Sequence, residues 1–133
     1  MIYIIHQYLY IFNSKIDENK GVRNKMIIIG IDPGYAIVGI GVVEYVGNKF
    51  RTLEYNAITT PAGMPTVERL KKIYTEMTMY IDKYKPDAVA IEELFFNSNQ
   101  KTAINVAQAR GVLLVAVANK NVPISEYTYA ASG

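Results

Sequence analysis

The run MIIIGI at Met26–Ile31 constrains this chain more than any other segment. It is continuously apolar and mostly β-branched, and it is followed at once by Asp32-Pro33-Gly34. A strand without polar alternation must be covered on both faces, so it belongs in the middle of a sheet layered with helices. The Asp-Pro-Gly turn ends it sharply. Two further strands follow, Ile37–Tyr45 and Phe50–Thr59, joined through Gly47-Asn48, a two-residue hairpin signal. The short connection through Asp-Pro-Gly makes the first two strands antiparallel neighbours. From Thr66 to about Tyr84 the spacing turns helical, with Val67, Leu70, Ile73, Tyr74, Met77 and Ile81 as the apolar stripe and Pro86 as the stop. Asp87–Glu92 reads as a fourth strand, Thr102–Asn119 as an Ala- and Val-rich second helix, and Pro123–Tyr127 as a fifth strand. The order β-β-β-α-β-α-β predicts an α/β fold: a mixed sheet with helices on its faces, the first and fourth strands parallel neighbours.

Composition narrows the chemistry. The chain has 133 residues, no Cys, no Trp and a single His, with 50% hydrophobic and 20% charged residues. This predicts one globular domain. It excludes a disulfide framework and thiolate metal sites, and it leaves triads built on His improbable. Chemistry, where present, falls to carboxylates. Of the net charge of +2, residues 1–25 supply all: Lys15, Lys20, Arg23 and Lys25 against Asp17 and Glu18. The body from Met26 onward is balanced and lacks the bulk basic footprint of a nucleic-acid binder. Residues 1–25 open with MIYIIHQYLYIF, which has no basic region before it or cleavage site after it, and is too short for a membrane span. They read as an N-terminal extension outside the domain, from an upstream start; an interfacial anchor, or an extra element packed on the domain, are the other readings. Residues 26–133 are read as the domain itself.

Asp32 closes the first strand and Glu92 the fourth. If those strands are parallel neighbours about 4.8 Å apart, the two carboxylates converge at one sheet edge. Like charges so placed need a shared proton or a cation. Mg²⁺, which takes oxygen ligands, is the natural ion. Two such ions about 4 Å apart would serve phosphodiester hydrolysis. On spacing alone, though, Asp-Pro-Gly is also an ordinary turn, and a Glu after a strand an ordinary surface residue. Glu93 competes with Glu92, because alternation lets only one of them face Asp32. A rival is the phosphate-cradling hairpin of the sugar kinase, actin and Hsp70 group, but its second similar domain does not fit in 133 residues.

The segments IIIGIDPGYAIVGIGVV and PDAVAIEELFFNSNQKTAINVAQARGVLLVAVANKNVPISEY resemble the RuvC family of bacterial Holliday junction resolvases, from about Met26 to Tyr127. The resemblance implies an RNase H-like fold, a homodimer, Mg²⁺-dependent crossover junction endodeoxyribonuclease activity in DNA recombination and repair, and four-way junction DNA as substrate. It also implies a cytoplasmic protein, the RuvA–RuvB branch-migration complex as a candidate partner, and no membrane role. Asp32 matches the aspartate of the I-D-P-G motif, and Glu92, rather than Glu93, the glutamate after A-I; both are expected to be catalytic and metal-binding. Phe95 matches an aromatic of the family's DNA-facing loop, where a ring can stack on an unstacked base; Phe96 is the better candidate for the core. Asn97, Asn99, Gln100 and Lys101 sit in a polar loop opening a helix and are candidate phosphate contacts. Arg110, alone in an apolar stretch, either pairs with a carboxylate or reaches DNA. Ala103, Ala107, Ala109 and Gly111 permit close packing of the second helix, at a dimer interface or on the sheet.

The chain departs from the family at its end. The resemblance implies two further aspartates on a final helix, and basic residues after the fifth strand. Here TYAASG follows that strand, and Glu126 is the only acid after Glu93. The expectation is a C-terminally truncated resolvase domain lacking its final helix, with apolar sheet surface exposed. Such a chain would be weakly active or inactive by itself; the alternative is a non-catalytic fragment that binds four-way junctions.

Overall fold

The computed structural model describes residues 25–34, 36–93 and 100–127. Residues 1–24 of the N-terminal extension, Phe95, Phe96, Asn97 and Asn99 therefore lie outside the described residues, while Lys25, read as the extension's last residue, opens the first strand. The elements are β1 (Lys25–Asp32), β2 (Ile37–Val46), β3 (Lys49–Thr59), α1 (Thr66–Tyr84), β4 (Ala88–Glu92), α2 (Gln100–Asn119) and β5 (Ile124–Tyr127). They form one five-stranded sheet in the order β3-β2-β1-β4-β5. β1 pairs antiparallel with β2 and parallel with β4, and β4 pairs parallel with β5. The apolar run is central, as its composition requires: Met26, Ile28, Ile29 and Ile31 are all buried.

The β2–β3 hairpin turns on Gly47 and Asn48, both with positive φ (52° and 66°). That is the backbone of a tight two-residue turn whose twist suits the strands. A bulge opposite Val42 and Val43 then shifts the register, so β3 carries one extra residue there.

Both described helices lie against the same face of the sheet. Ile73, Met77 and Ile81 of α1 and Ala109, Leu113, Ala116 and Val117 of α2 share one core with Ile29, Ile31, Val38, Ile40, Val42, Ile58, Val89 and Ile91. The topology dictates this. β3 to β4 and β4 to β5 are both parallel crossovers moving the same way across the sheet, and right-handed connections then put both helices on one side. The expected apolar stripe of α1 holds at Ile73, Met77 and Ile81, which are buried, and fails at its first member. Arg69 is buried and Val67 is 79% exposed. Arg69 tolerates the inner position because its guanidinium donates to the Pro61 carbonyl at 3.2 Å, which satisfies a buried charge that would otherwise be costly. α1 ends at Lys85, in a left-handed conformation that bonds back to Ile81, just before Pro86.

Alternation assigns Met26, Ile28, Gly30 and Asp32 to the opposite face, with Ala88, Ala90 and Glu92 of β4. Met26, Ile28, Ala88 and Ala90 are buried too. Among the described residues, the large apolar side chains exposed on this face stand at its rim, where Ile37, Phe50 and Tyr55 project.

α2 is long and apolar enough by composition to cross a membrane. One side of it is buried against the sheet, through Ala109, Leu113, Ala116 and Val117, while Ile104 and Val115 are exposed.

Candidate active site

The register of β1 on β4 builds the site. Ile28 stands beside Ala88, Ile29 beside Val89, Gly30 beside Ala90 and Ile31 beside Ile91. One step further, Asp32 and Glu92 end their strands side by side, on the face away from the helices. The other end of the same pair is pinned by Asp87. The Ile27 amide donates to Asp87 Oδ2 at 2.8 Å, and the Asp87 amide donates to the Ile27 carbonyl at 2.7 Å. This clamp fixes the register five residues before the carboxylates meet. In the sequence Asp87 reads only as the start of a strand; its signal is a lone acid between a helix-stopping proline and an apolar run.

Asp32 is exposed and Glu92 half-buried. Burial pushes the Glu92 carboxyl above its ordinary value, and the Asp32 carboxyl, hydrogen-bonded to it, pushes it further by charge. Glu93 lies past the strand end and is exposed, so Glu92 is the residue that meets Asp32.

The turn after Asp32 is fixed sterically. A Cβ on Gly34 would stand 2.3 Å from the Ile37 carbonyl oxygen. Only glycine lets the chain double back so closely into β2.

Arg110, on α2, takes the first of its two expected roles. Its Nη2 lies 2.8 Å from Glu126 Oε1 on β5, and its Nε donates to the Glu92 carbonyl at 3.3 Å. The guanidinium thus ties the ends of β4 and β5 to the helix above them. Glu126 has no sequence signature for this; it becomes legible only once β5 is known to lie beside β4. Lys101 is exposed in the first turn of α2, with Gln100 before it.

An open cleft of about 570 Å³ extends from Asp32 across β2 to β3, lined by Asp32, Gly34, Ile37, Gly39, Tyr55, Asn56 and Ala57. Its floor is nearly free of side chains, since Gly39 pairs with both Asp32 and Ala57. Strand glycines of this kind let another backbone approach closely. Among the described residues, no three His, Cys, Asp or Glu side chains gather into a cation cage. The pair alone still suits a hard divalent ion: two adjacent carboxylates, one held above its ordinary pKa by burial and by the other, are an oxygen donor set short of positive charge.

A mixed sheet in the order β3-β2-β1-β4-β5, with acids at the adjoining ends of its central parallel strands, defines an RNase H-like α/β domain. Solved structures agree on the fold. The yeast mitochondrial Holliday junction resolvase Ydc2 superposes with a TM-score of 0.59 at 9% identity, over 83% of this chain and 56% of that one. Thermus thermophilus RuvC in complex with a Holliday junction substrate superposes with a TM-score of 0.71 at 34% identity, over 78% of this chain and 65% of that one. In sequence, residues 28–132 match the family described as crossover junction endodeoxyribonuclease RuvC. The protein of that name from Alkaliphilus oremlandii (strain OhILAs) is 59% identical over 103 residues, covering 77% of this chain and 63% of the relative. That from Ruminiclostridium cellulolyticum is 56% identical over 77% of this chain and 62% of the relative. The chain belongs to the RuvC family. It spans about three fifths of the length of the curated relatives it matches.

Proposed function

We propose that this chain carries the catalytic face of a Mg²⁺-dependent crossover junction endodeoxyribonuclease, acting on four-way DNA junctions in recombination and repair. The observation that carries the reading is the meeting of Asp32 and Glu92 at the ends of β1 and β4, in a chain of the RuvC family. Asp32 and Glu92 would hold the metal. Mg²⁺, when bound, makes a coordinated water a stronger nucleophile and offsets the charge building on the phosphodiester and on the leaving 3′ oxygen. The chain's own residues set the geometry. Gly34 lets the turn close, the Asp87 clamp keeps both carboxylates on one face, and Arg110 holds the Glu92 backbone. The glycine floor beside Asp32 admits a sugar-phosphate backbone.

Phe95, Asn97 and Lys101 are candidate DNA contacts by resemblance, Phe95 by stacking on a base at the crossover and the other two through phosphate. The working form we infer is a cytoplasmic homodimer carrying two ions per site, with the RuvA–RuvB complex as a candidate partner. The relatives' names and the junction-bound Thermus structure support this substrate class.

The test is incubation of the purified chain with a labelled synthetic four-way junction, with and without Mg²⁺, beside an Asp32→Asn variant and a linear duplex. Weak paired nicks that require Mg²⁺ and Asp32 are expected. Junction binding without nicks would overturn the catalytic reading and leave a recognition module; equal cleavage of linear DNA would overturn the substrate.

A further inference from the structure

The cleft beside Asp32 contains a surface that the carboxylate chemistry does not use. Tyr55 and Ile37 rise from its walls, 65% and 57% exposed. Both belong to the face that carries Asp32: Tyr55 pairs with Gly41, and Ile37 shares the strand parity of Gly39 and Gly41. Gly39 and Ala57 form the floor between them and the acid. Asp32 is the only charged residue among the described residues lining the cleft. Over that floor a flat apolar group would meet an aromatic ring and a branched aliphatic. Aromatic side chains on an open sheet face are a general platform for nucleic-acid bases.

We propose that Tyr55 and Ile37 hold a nucleoside of the DNA strand whose phosphodiester lies at the Asp32–Glu92 pair. This rests on the nuclease reading of that pair. Two strand spacings of about 4.8 Å separate Asp32 from Ala57 on β3, and Tyr55 lies two residues of about 3.4 Å further along that strand, together a span of about three to four stacked nucleotides at about 3.4 Å each. The base on Tyr55 is therefore within about four nucleotides of the scissile phosphate. A ring holding the strand at that distance aligns the phosphate at the pair. It also favours sites where the base is already unstacked, as it is near a crossover.

The test uses four-way junctions carrying 2-aminopurine at each of the four positions beside the crossover, with Ca²⁺ in place of Mg²⁺. Affinity and 2-aminopurine emission are read together. Tyr55→Ala is expected to bind roughly tenfold more weakly and to lose the emission change at one labelled position. Tyr55→Phe keeps both, and Ile37→Ala falls between. Because both side chains are exposed, thermal melts of all variants should match the wild type. Wild-type affinity and emission from Tyr55→Ala would overturn the nucleoside site and leave the nuclease reading standing. So would a loss of affinity equal on junction and linear duplex with the emission change intact. Failure of the wild-type chain to bind any junction would overturn the nuclease reading itself, and this site with it.

Discussion

Arg110 offers a way to measure what holds Glu92 in place. It makes two different interactions. One is an ion pair with Glu126, whose side chain is 45% exposed while that of Arg110 is 17% exposed. The other is a charged donor to the Glu92 carbonyl, on the β4 end that bears the site. An ion pair with a half-exposed partner is worth about 0.5–1 kcal/mol. A bond from a charged donor to a half-buried carbonyl is worth about 1.5 kcal/mol. Arg110→Met keeps the apolar stem and loses both interactions, so it should cost about 2 kcal/mol. Glu126→Gln keeps the carbonyl bond and leaves Arg110 a neutral acceptor, and should cost about 0.5 kcal/mol. The double variant should cost no more than Arg110→Met, since nothing further is left to break. Urea unfolding followed by circular dichroism, at constant m, resolves these differences. Equal losses for the two single variants would show that the carbonyl bond contributes nothing, and that Arg110 does not brace β4.

Two further outcomes follow from the site's geometry. Gly34→Ala puts a Cβ 2.3 Å from a backbone oxygen, which no rotamer change can relieve; a loss of about 1–3 kcal/mol and of junction cleavage is expected, and a wild-type melt and rate would refute the steric argument. For Glu92 the folded-state pKa is raised above its ordinary value of 4.5, so its contribution to stability is complete below that pH and is lost as pH rises through the folded value. Glu92→Gln should therefore gain stability relative to the wild type from pH 4 to 7, and Mg²⁺ should narrow the gap at neutral pH. A melting difference flat in pH would refute the burial and repulsion inferred at the pair.

Much of this fold was legible because its signals are local. The unbroken apolar run of β1 demanded a central strand, and the order of elements left few topologies. The boundaries of α1 follow from Thr66 and Pro86. α2 starts two residues before its expected start, at Gln100. The strand pairing that joins Asp32 to Glu92 could be anticipated from chain order and crossover handedness. The choice between Glu92 and Glu93 could not be made from spacing, because AVAIEE has no alternation; the family resemblance favours Glu92, and β4 ends there, beside Asp32. Arg69 was missed for a related reason. A hydrophobic stripe counts apolar side chains, and a buried arginine is admitted by a carbonyl contributed by a loop outside the helix. Tyr55, likewise, is one aromatic in a polar strand until the fold sets it beside Asp32.

The Asp87 clamp has a consequence for how this site can vary. The gap between the two carboxylates is set by the spacing of adjacent strands, and the clamp chooses which rung of the β1–β4 ladder they occupy. A slip of one residue would turn one carboxylate to the opposite face, so the site is either assembled or absent, with no graded states between. The acids need no loop to aim them. Sequence drift in the connections, in length or in composition, can then retune what the domain grips while the distance on which its chemistry depends stays the same.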